Sequence, residues 1–129
     1  MGMKVREAMT QVLLTAPEAT TIGEVASLMA QRRVGSALVL DGERLLGIFT
    51  ERDIVKALSQ DSLAVRQPIG HWMTREPQTV GPDATVEEAL QMMVAGHFRH
   101  LPVMDAGRLV GVLSMRDLSR IALSQDTRA

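Results

Sequence analysis

Two pairs of residues at equal spacing carry the chemistry this sequence offers. In "GIFTERD" (47–53) Thr50 precedes Asp53 by three positions, and in "GVLSMRD" (111–117) Ser114 precedes Asp117 by three. A hydroxyl and a carboxylate at that spacing form a capping box at a helix start, each satisfying a backbone N–H that the helix leaves without a partner. Caps of this kind are common and worth about 1 kcal/mol. One pair alone is therefore explained as helix-end structure. Capping and binding remain compatible, because a capping residue can also face a cleft. Catalysis is a weaker reading: Thr50 has Asp53 beside it, but a carboxylate alone is a poor base for an alcohol, and no histidine recurs with the motif.

Other groups carry less. His97 and His100 are three apart and invite a metal reading. Their spacing straddles a predicted helix end and strand start, and Asp105 alone stands within local reach as a third ligand, so no metal is assigned. The sequence has no cysteine, which excludes disulfide, zinc–thiolate and thiol chemistry. The nine methionines lie scattered at apolar positions, as core packing requires. Arg32-Arg33 sits where a helix end favours cations. His71 beside Trp72 reads as a surface or interface pair, and Glu51 and Arg52 as solvated side chains.

Composition narrows the function classes further. The 129 residues are 46% hydrophobic and 22% charged, as expected of a globular protein, and the formal net charge is −1. The longest basic run is Arg32-Arg33, and Phe49, Phe98 and Trp72 are the aromatic residues. A basic stripe with aromatic stacking platforms is absent, so direct nucleic-acid binding is not expected. No apolar run is long enough to span a membrane. The opening "MGMKVREAMT" lacks the apolar core of a secretory signal, so a cytoplasmic location is expected.

The two motifs are parts of a longer repeat. Shifted by 64 residues, the chain matches itself from Val5 to about Ala57 without a gap. "MT" at 9–10 meets "MT" at 73–74; Thr15, Thr21, Glu24 and Met29 meet Thr79, Thr85, Glu88 and Met93. "LVLDGERLLGIFTERD" (38–53) lies over "PVMDAGRLVGVLSMRD" (102–117). Such a match implies two structurally equivalent units, divided as residues 1–61 and 62–129.

Each unit shows the same order of signals. A brief segment ends at "MT", an extended piece follows ("VLLTA" or "PQTV"), and a turn carries Pro17 or Pro82. Helices are predicted near 20–33 and 84–97, with Ile22, Val25, Ala26 and Met29 matched by Val86, Ala89, Leu90 and Met93 at helical spacing. Strand runs "SALVL" and "RLLGIF" flank Asp41-Gly42, a favoured hairpin dipeptide; "LPVM" and "RLVGVL" flank "DAGR". Closing helices are predicted at about 51–59 and 115–124, and "SQDSLAVRQP" (59–68) is read as the connector. One unit is too small to bury a full core, so the economical fold is one α/β domain of two halves. On the closing helices, Ile54, Val55, Ala57 and Leu58, like Leu118, Ile121, Ala122 and Leu123, spread over more than one face. A single stripe suffices to pack on a sheet. The excess points either to a second copy of the chain or to a broad face buried within the monomer.

The β-α-β-β-α order written twice, with "LPVMD" and two motifs of glycine, two apolar residues, Ser or Thr, two further residues and Asp, resembles a tandem pair of CBS (cystathionine beta-synthase) domains. The resemblance covers nearly the whole chain and is similar to the small stand-alone CBS-domain proteins of bacteria. It implies two repeats packed about a pseudo-two-fold axis, a homodimer, and clefts between the repeats for adenosine-containing ligands: AMP, ADP, ATP, NAD-type cofactors or S-adenosylmethionine. It also implies a regulatory or sensor module acting on an unidentified downstream protein, not an enzyme.

Carried over residue by residue, the resemblance gives Asp53 or Asp117 the ribose hydroxyls, which an ionised carboxylate can accept as a pair. Thr50 or Ser114 donates to phosphate at a helix start that already favours an anion. The base contacts of the Asp53 site come from Thr79, Val80, Arg99, His100, Leu101 and Pro102. Those of the Asp117 site come from Thr15, Ala16, Gly35, Ser36 and Ala37. Arg99 and His100 can neutralise phosphate, whereas the matching "GSAL" offers no basic side chain, so the Asp53 site is expected to be the better one for a charged nucleotide. Leu38 stands where the other repeat has Pro102, which changes the strand entry. The competing reading is a CBS scaffold for interaction or oligomerisation that has no nucleotide ligand.

Overall fold

The computed structural model describes residues 2–126. Its helices are α1 (Val5–Ala8), α2 (Ile22–Arg32), α3 (Glu51–Gln60), α4 (Val86–Gly96) and α5 (Met115–Asp126). Its strands are β1 (Thr15–Ala16), β2 (Ser36–Asp41), β3 (Arg44–Thr50), β4 (Thr74–Arg75), β5 (His100–Asp105) and β6 (Arg108–Ser114). The fold is mixed α/β, as expected. The predicted helices and hairpins appear within a few residues of their expected ends.

Local chemistry explains these elements. Thr21 and Thr85 cap α2 and α4, their hydroxyls accepting from the N–H of Glu24 and Glu88 at 3.2 and 3.1 Å. Both helices end in a Schellman motif. Arg33 (φ 56°) and His97 (φ 59°) take the left-handed conformation, and the N–H groups of Val34 and Phe98 reach back to the carbonyls of Met29 and Met93, 3.1 Å in each case. His97 thus ends a helix and His100 begins a strand. The hairpin turns differ: Gly42 takes φ 60°, while in the second hairpin Ala106 and Gly107 both have positive φ, 52° and 80°, the pattern of a type I′ turn. Each hairpin carries a register shift at the same place, Val39/Leu40 and Val103/Met104.

The chain divides into two compact units, Leu13–Pro77 and Met1–Val12 with Gln78–Ala129. In the first, β1 to β4 form one sheet in sequence order, β1 parallel to β2 and the rest antiparallel. Its core holds Ile22, Val25, Met29, Val39, Phe49, Ala57 and Ile69. In the second, β5 and β6 pair antiparallel, flanked by single bridges from Val80 to Val103 and from Thr10 to Val112. Its core holds Val5, Ala89, Met93, Leu101, Val103 and Leu113. The units are not cut where the sequence repeat begins and ends: the "MT" of residues 9–10 pairs with β6, and that of 73–74 with β3.

The connector is more structured than its composition suggests. It forms a 3-10 turn over Ala64–Arg66, Ala64 is fully buried in the first unit's core, and the Gln67 carbonyl accepts from Ile22 N–H at 2.9 Å. Leu90, assigned above to the apolar face of α4, is exposed, as is Val94; α4 meets its core through the buried Ala89 and Met93, with Val86 and Met92 packed partly against it. On the closing helices Ala57 is buried and Ile54, Leu118 and Ile121 pack partly on the cores. Val55 and Leu123 stay 69% and 67% exposed.

Candidate functional site

Each compact unit assembles one Ser/Thr–Asp motif beside one set of strand-entry residues. In Leu13–Pro77, Ser36 lies opposite Thr50 and Ala37 opposite Phe49. The Gly35 carbonyl accepts from the N–H of Glu51, the first residue of α3 (3.2 Å). Thr15 and Ala16 pair with Leu38 and Val39. Gly35, Ser36, Ala37, Thr15 and Ala16 are thus brought together with Thr50 and Asp53.

The other unit repeats the layout. His100 lies opposite Ser114, Leu101 opposite Leu113 and Pro102 opposite Val112. The Arg99 carbonyl accepts from Met115 N–H (2.9 Å), and Val80 N–H donates to the Pro102 carbonyl (3.1 Å). Thr79, Val80, Arg99, His100, Leu101 and Pro102 are brought together with Ser114 and Asp117. Ala37, Leu101 and Pro102 are buried, while Arg99 and Thr79 are exposed.

At the start of α3, Thr50 and Asp53 form the expected capping box. The Thr50 N–H donates to Asp53 Oδ2 at 2.9 Å and its hydroxyl to the same oxygen at 3.2 Å. Burial pushes the Asp53 carboxyl above the ordinary carboxylate range, opposed by these bonds and by the charges of Lys56 and Arg52.

The second motif is held differently. The Ser114 N–H and hydroxyl both donate to Asp117 Oδ2 at 2.9 Å, and Asp117 N–H donates back to Ser114 Oγ at 3.1 Å. Two further donors reach the other oxygen: the Thr10 hydroxyl at 3.2 Å and Arg120 Nη2 at 3.3 Å. With four donors on two oxygens, the acceptor capacity of the carboxylate is filled. Asp117 is 4% exposed and, with Ser36, is one of the buried polar residues among those described.

Thr74 and Lys56 are the counterparts of Thr10 and Arg120. On the Asp53 carboxylate, Thr50 supplies two hydrogen bonds, both to Oδ2. Sequence reasoning missed Thr10 and Arg120. The signal for Thr10 was the recurrence of "MT", read above as a repeat marker only. The signal for Arg120 was its place one helical turn beyond Asp117.

Comparison with known proteins agrees with this layout. The family model for the CBS domain matches residues 5–60 and again 69–124. An uncharacterized 17.7 kDa protein of Acidianus ambivalens is 40% identical, over 98% of this chain and 77% of that protein. A CBS domain-containing protein of Arabidopsis thaliana is 39% identical over 90% of this chain, a match that takes up 22% of its own length. Among solved structures, a CBS domain protein from Pyrobaculum aerophilum complexed with AMP is 33% identical with a TM-score of 0.84, covering 98% of this chain and all (100%) of that one. The CBS domain pair of protein MJ0100, in complex with 5'-methylthioadenosine and S-adenosyl-L-methionine, is 27% identical with a TM-score of 0.88, covering 97% and 99%. The chain belongs to the CBS-domain family and carries two CBS domains in tandem.

Proposed function

We propose that this CBS pair is a regulatory module that binds an adenosine-containing nucleotide, with AMP, ADP or ATP preferred, and passes its occupancy to a partner protein. Asp53 takes the ribose hydroxyls and Thr50 a phosphate oxygen. Thr15, Ala16, Gly35, Ser36 and Ala37, which stand beside that motif, complete the site; Thr79, Val80, Arg99, His100, Leu101 and Pro102 stand with Ser114 and Asp117 at a second, weaker one. The observation that carries this reading is the state of the Asp53 carboxylate. It is half-buried at the N-terminus of a ten-residue helix, and both Thr50 donors sit on Oδ2. Burial already makes its charge costly, so two ribose O–H donors would repay a standing penalty. The relatives bound to AMP and to S-adenosyl-L-methionine support the ligand class.

The test is a thermal-shift and calorimetric panel of AMP, ADP, ATP, NADH and S-adenosylmethionine. Ligand at a hundred times its Kd should stabilise the chain by about 2.7 kcal/mol. Asp53→Ala should weaken nucleotide binding by roughly tenfold or more, as for loss of hydrogen bonds to a charged acceptor. Silence across the panel at millimolar ligand leaves the interaction-scaffold reading in its place. We also read the exposed Val55 and Leu123 as covered by a second copy of the chain; a monomer by light scattering overturns that.

A further inference from the structure

The two motifs are alike in sequence but not in the state of their carboxylates. We propose that Arg120 and Thr10 are an internal occupant of the second motif: they hold Asp117 closed to ribose and thereby set how many nucleotides the chain takes. This rests on the nucleotide reading above and sharpens it to a ratio between the two sites.

A ribose needs a carboxylate with an acceptor position to spare for its hydroxyls. On Asp117 both oxygens are already engaged, Oδ2 by the Ser114 N–H and hydroxyl and Oδ1 by Thr10 and Arg120. The guanidinium bond is charge-assisted, and the carboxylate is 4% exposed, so its exchange for neutral hydroxyls is unfavourable. Arg120 differs from its partner in one useful respect: its side chain is 65% exposed. It can swing into water without breaking the core, which makes it a removable stop and leaves Thr10 as the fixed donor. Lys56, the counterpart on α3, influences Asp53 through its charge without a hydrogen bond to it. Thr74, the counterpart of Thr10, is exposed. The occupant is therefore particular to the second motif, and it sits on a side chain whose truncation leaves the packing intact.

The experiment is isothermal titration of the full chain with AMP, for wild type, Arg120→Ala and the pair Arg120→Ala/Asp117→Ala. Wild type should bind one AMP per chain tightly. Arg120→Ala should tighten or reveal a second site by about tenfold or more, and Asp117→Ala in that background should remove the gain. Two equal sites in wild type, or no change in Arg120→Ala beside a wild type that binds AMP, overturns the internal occupant while leaving the nucleotide reading standing. No AMP bound by any of the three proteins overturns the internal occupant, and the nucleotide reading falls with it where the rest of the ligand panel is silent too. A double-mutant cycle on the ligand-free chain adds an independent check, because coupling between Arg120 and Asp117 of less than about threefold in the unfolding constant also overturns it.

Discussion

The start of α3 and the start of α5 are one local sequence pattern used in two ways. Thr50–Asp53 is a cap with a half-buried carboxylate on which both Thr50 donors sit on one oxygen. Ser114–Asp117 is a cap whose carboxylate also fastens Thr10, 107 positions away, and Arg120 one turn along the helix. The difference teaches that a motif spacing fixes which groups stand at a helix start, but not whether their acceptors are spare. Spare acceptors suit a ligand; filled ones suit structure.

The sharpest way to break that contrast is to remove each carboxylate from the ligand-free chain. Asp117→Ala strands the Thr10 hydroxyl, the Ser114 N–H and one guanidinium bond, and should cost about 2–4 kcal/mol, as for a buried charged acceptor lost from its donors. The exposed position of Arg120 keeps the loss from being larger. Asp53→Ala should cost about 1 kcal/mol, the worth of a cap. Urea denaturation followed by circular dichroism measures both, and equal losses would mean that Thr10 and Arg120 contribute nothing to stability.

Much of this was legible in the sequence. The repeat, the four long helices, both hairpins and the capping boxes are short-range features, and hydrophobic period and turn chemistry report them directly. The units and the state of Asp117 are long-range. Pairing of Thr10 with Val112 depends on where a strand edge is free in the folded chain, and no spacing near residue 10 encodes that. Ala64 was hidden for a related reason. Its immediate neighbours Leu63 and Val65 are larger and apolar yet exposed, so the one buried alanine of a 3-10 turn leaves no period to see. The residues assigned to nucleotide contact came from the family resemblance, and their roles wait on the titrations above.

A second comparison separates the units by packing at equivalent glycines. A Cβ on Gly47 would stand 2.6 Å from the Thr74 carbonyl oxygen and 2.8 Å from Met73 Sδ. On Gly111 it would meet Met9 Sδ at 2.6 Å, with the Thr10 carbonyl oxygen at 3.1 Å. A methionine end can move aside, but backbone in a sheet cannot. Gly47→Ala should therefore lose about 2–3 kcal/mol and Gly111→Ala about 1 kcal/mol. Thermal unfolding of the two variants decides it, and the reverse order would contradict the close approach of β4 to β3.

The smallest expected effect is in pH dependence, where two aspartates should differ in sign. Hydrogen bonding and the charge of Arg6 hold the Asp83 carboxyl below the ordinary range. Its contribution is thus present above the unfolded pKa and lost as pH falls through the lower folded value. Asp53 is the opposite case: burial raises its folded pKa, so its favourable contribution is present below the unfolded pKa and lost as pH rises through the folded value. At neutral pH, Asp83→Asn should lower the Tm slightly, and added salt should shrink that loss because the pair is exposed. Asp53→Asn, which keeps an acceptor for the Thr50 N–H, should leave the ligand-free Tm unchanged or raised. Both differences should fade as pH falls below the carboxylate range, where both aspartates of the wild type are protonated. An Asp53→Asn variant that is less stable at neutral pH and recovers in acid would show that Asp53, like Asp117, has its charge satisfied by the protein, and would remove the physical reason for giving it the ribose.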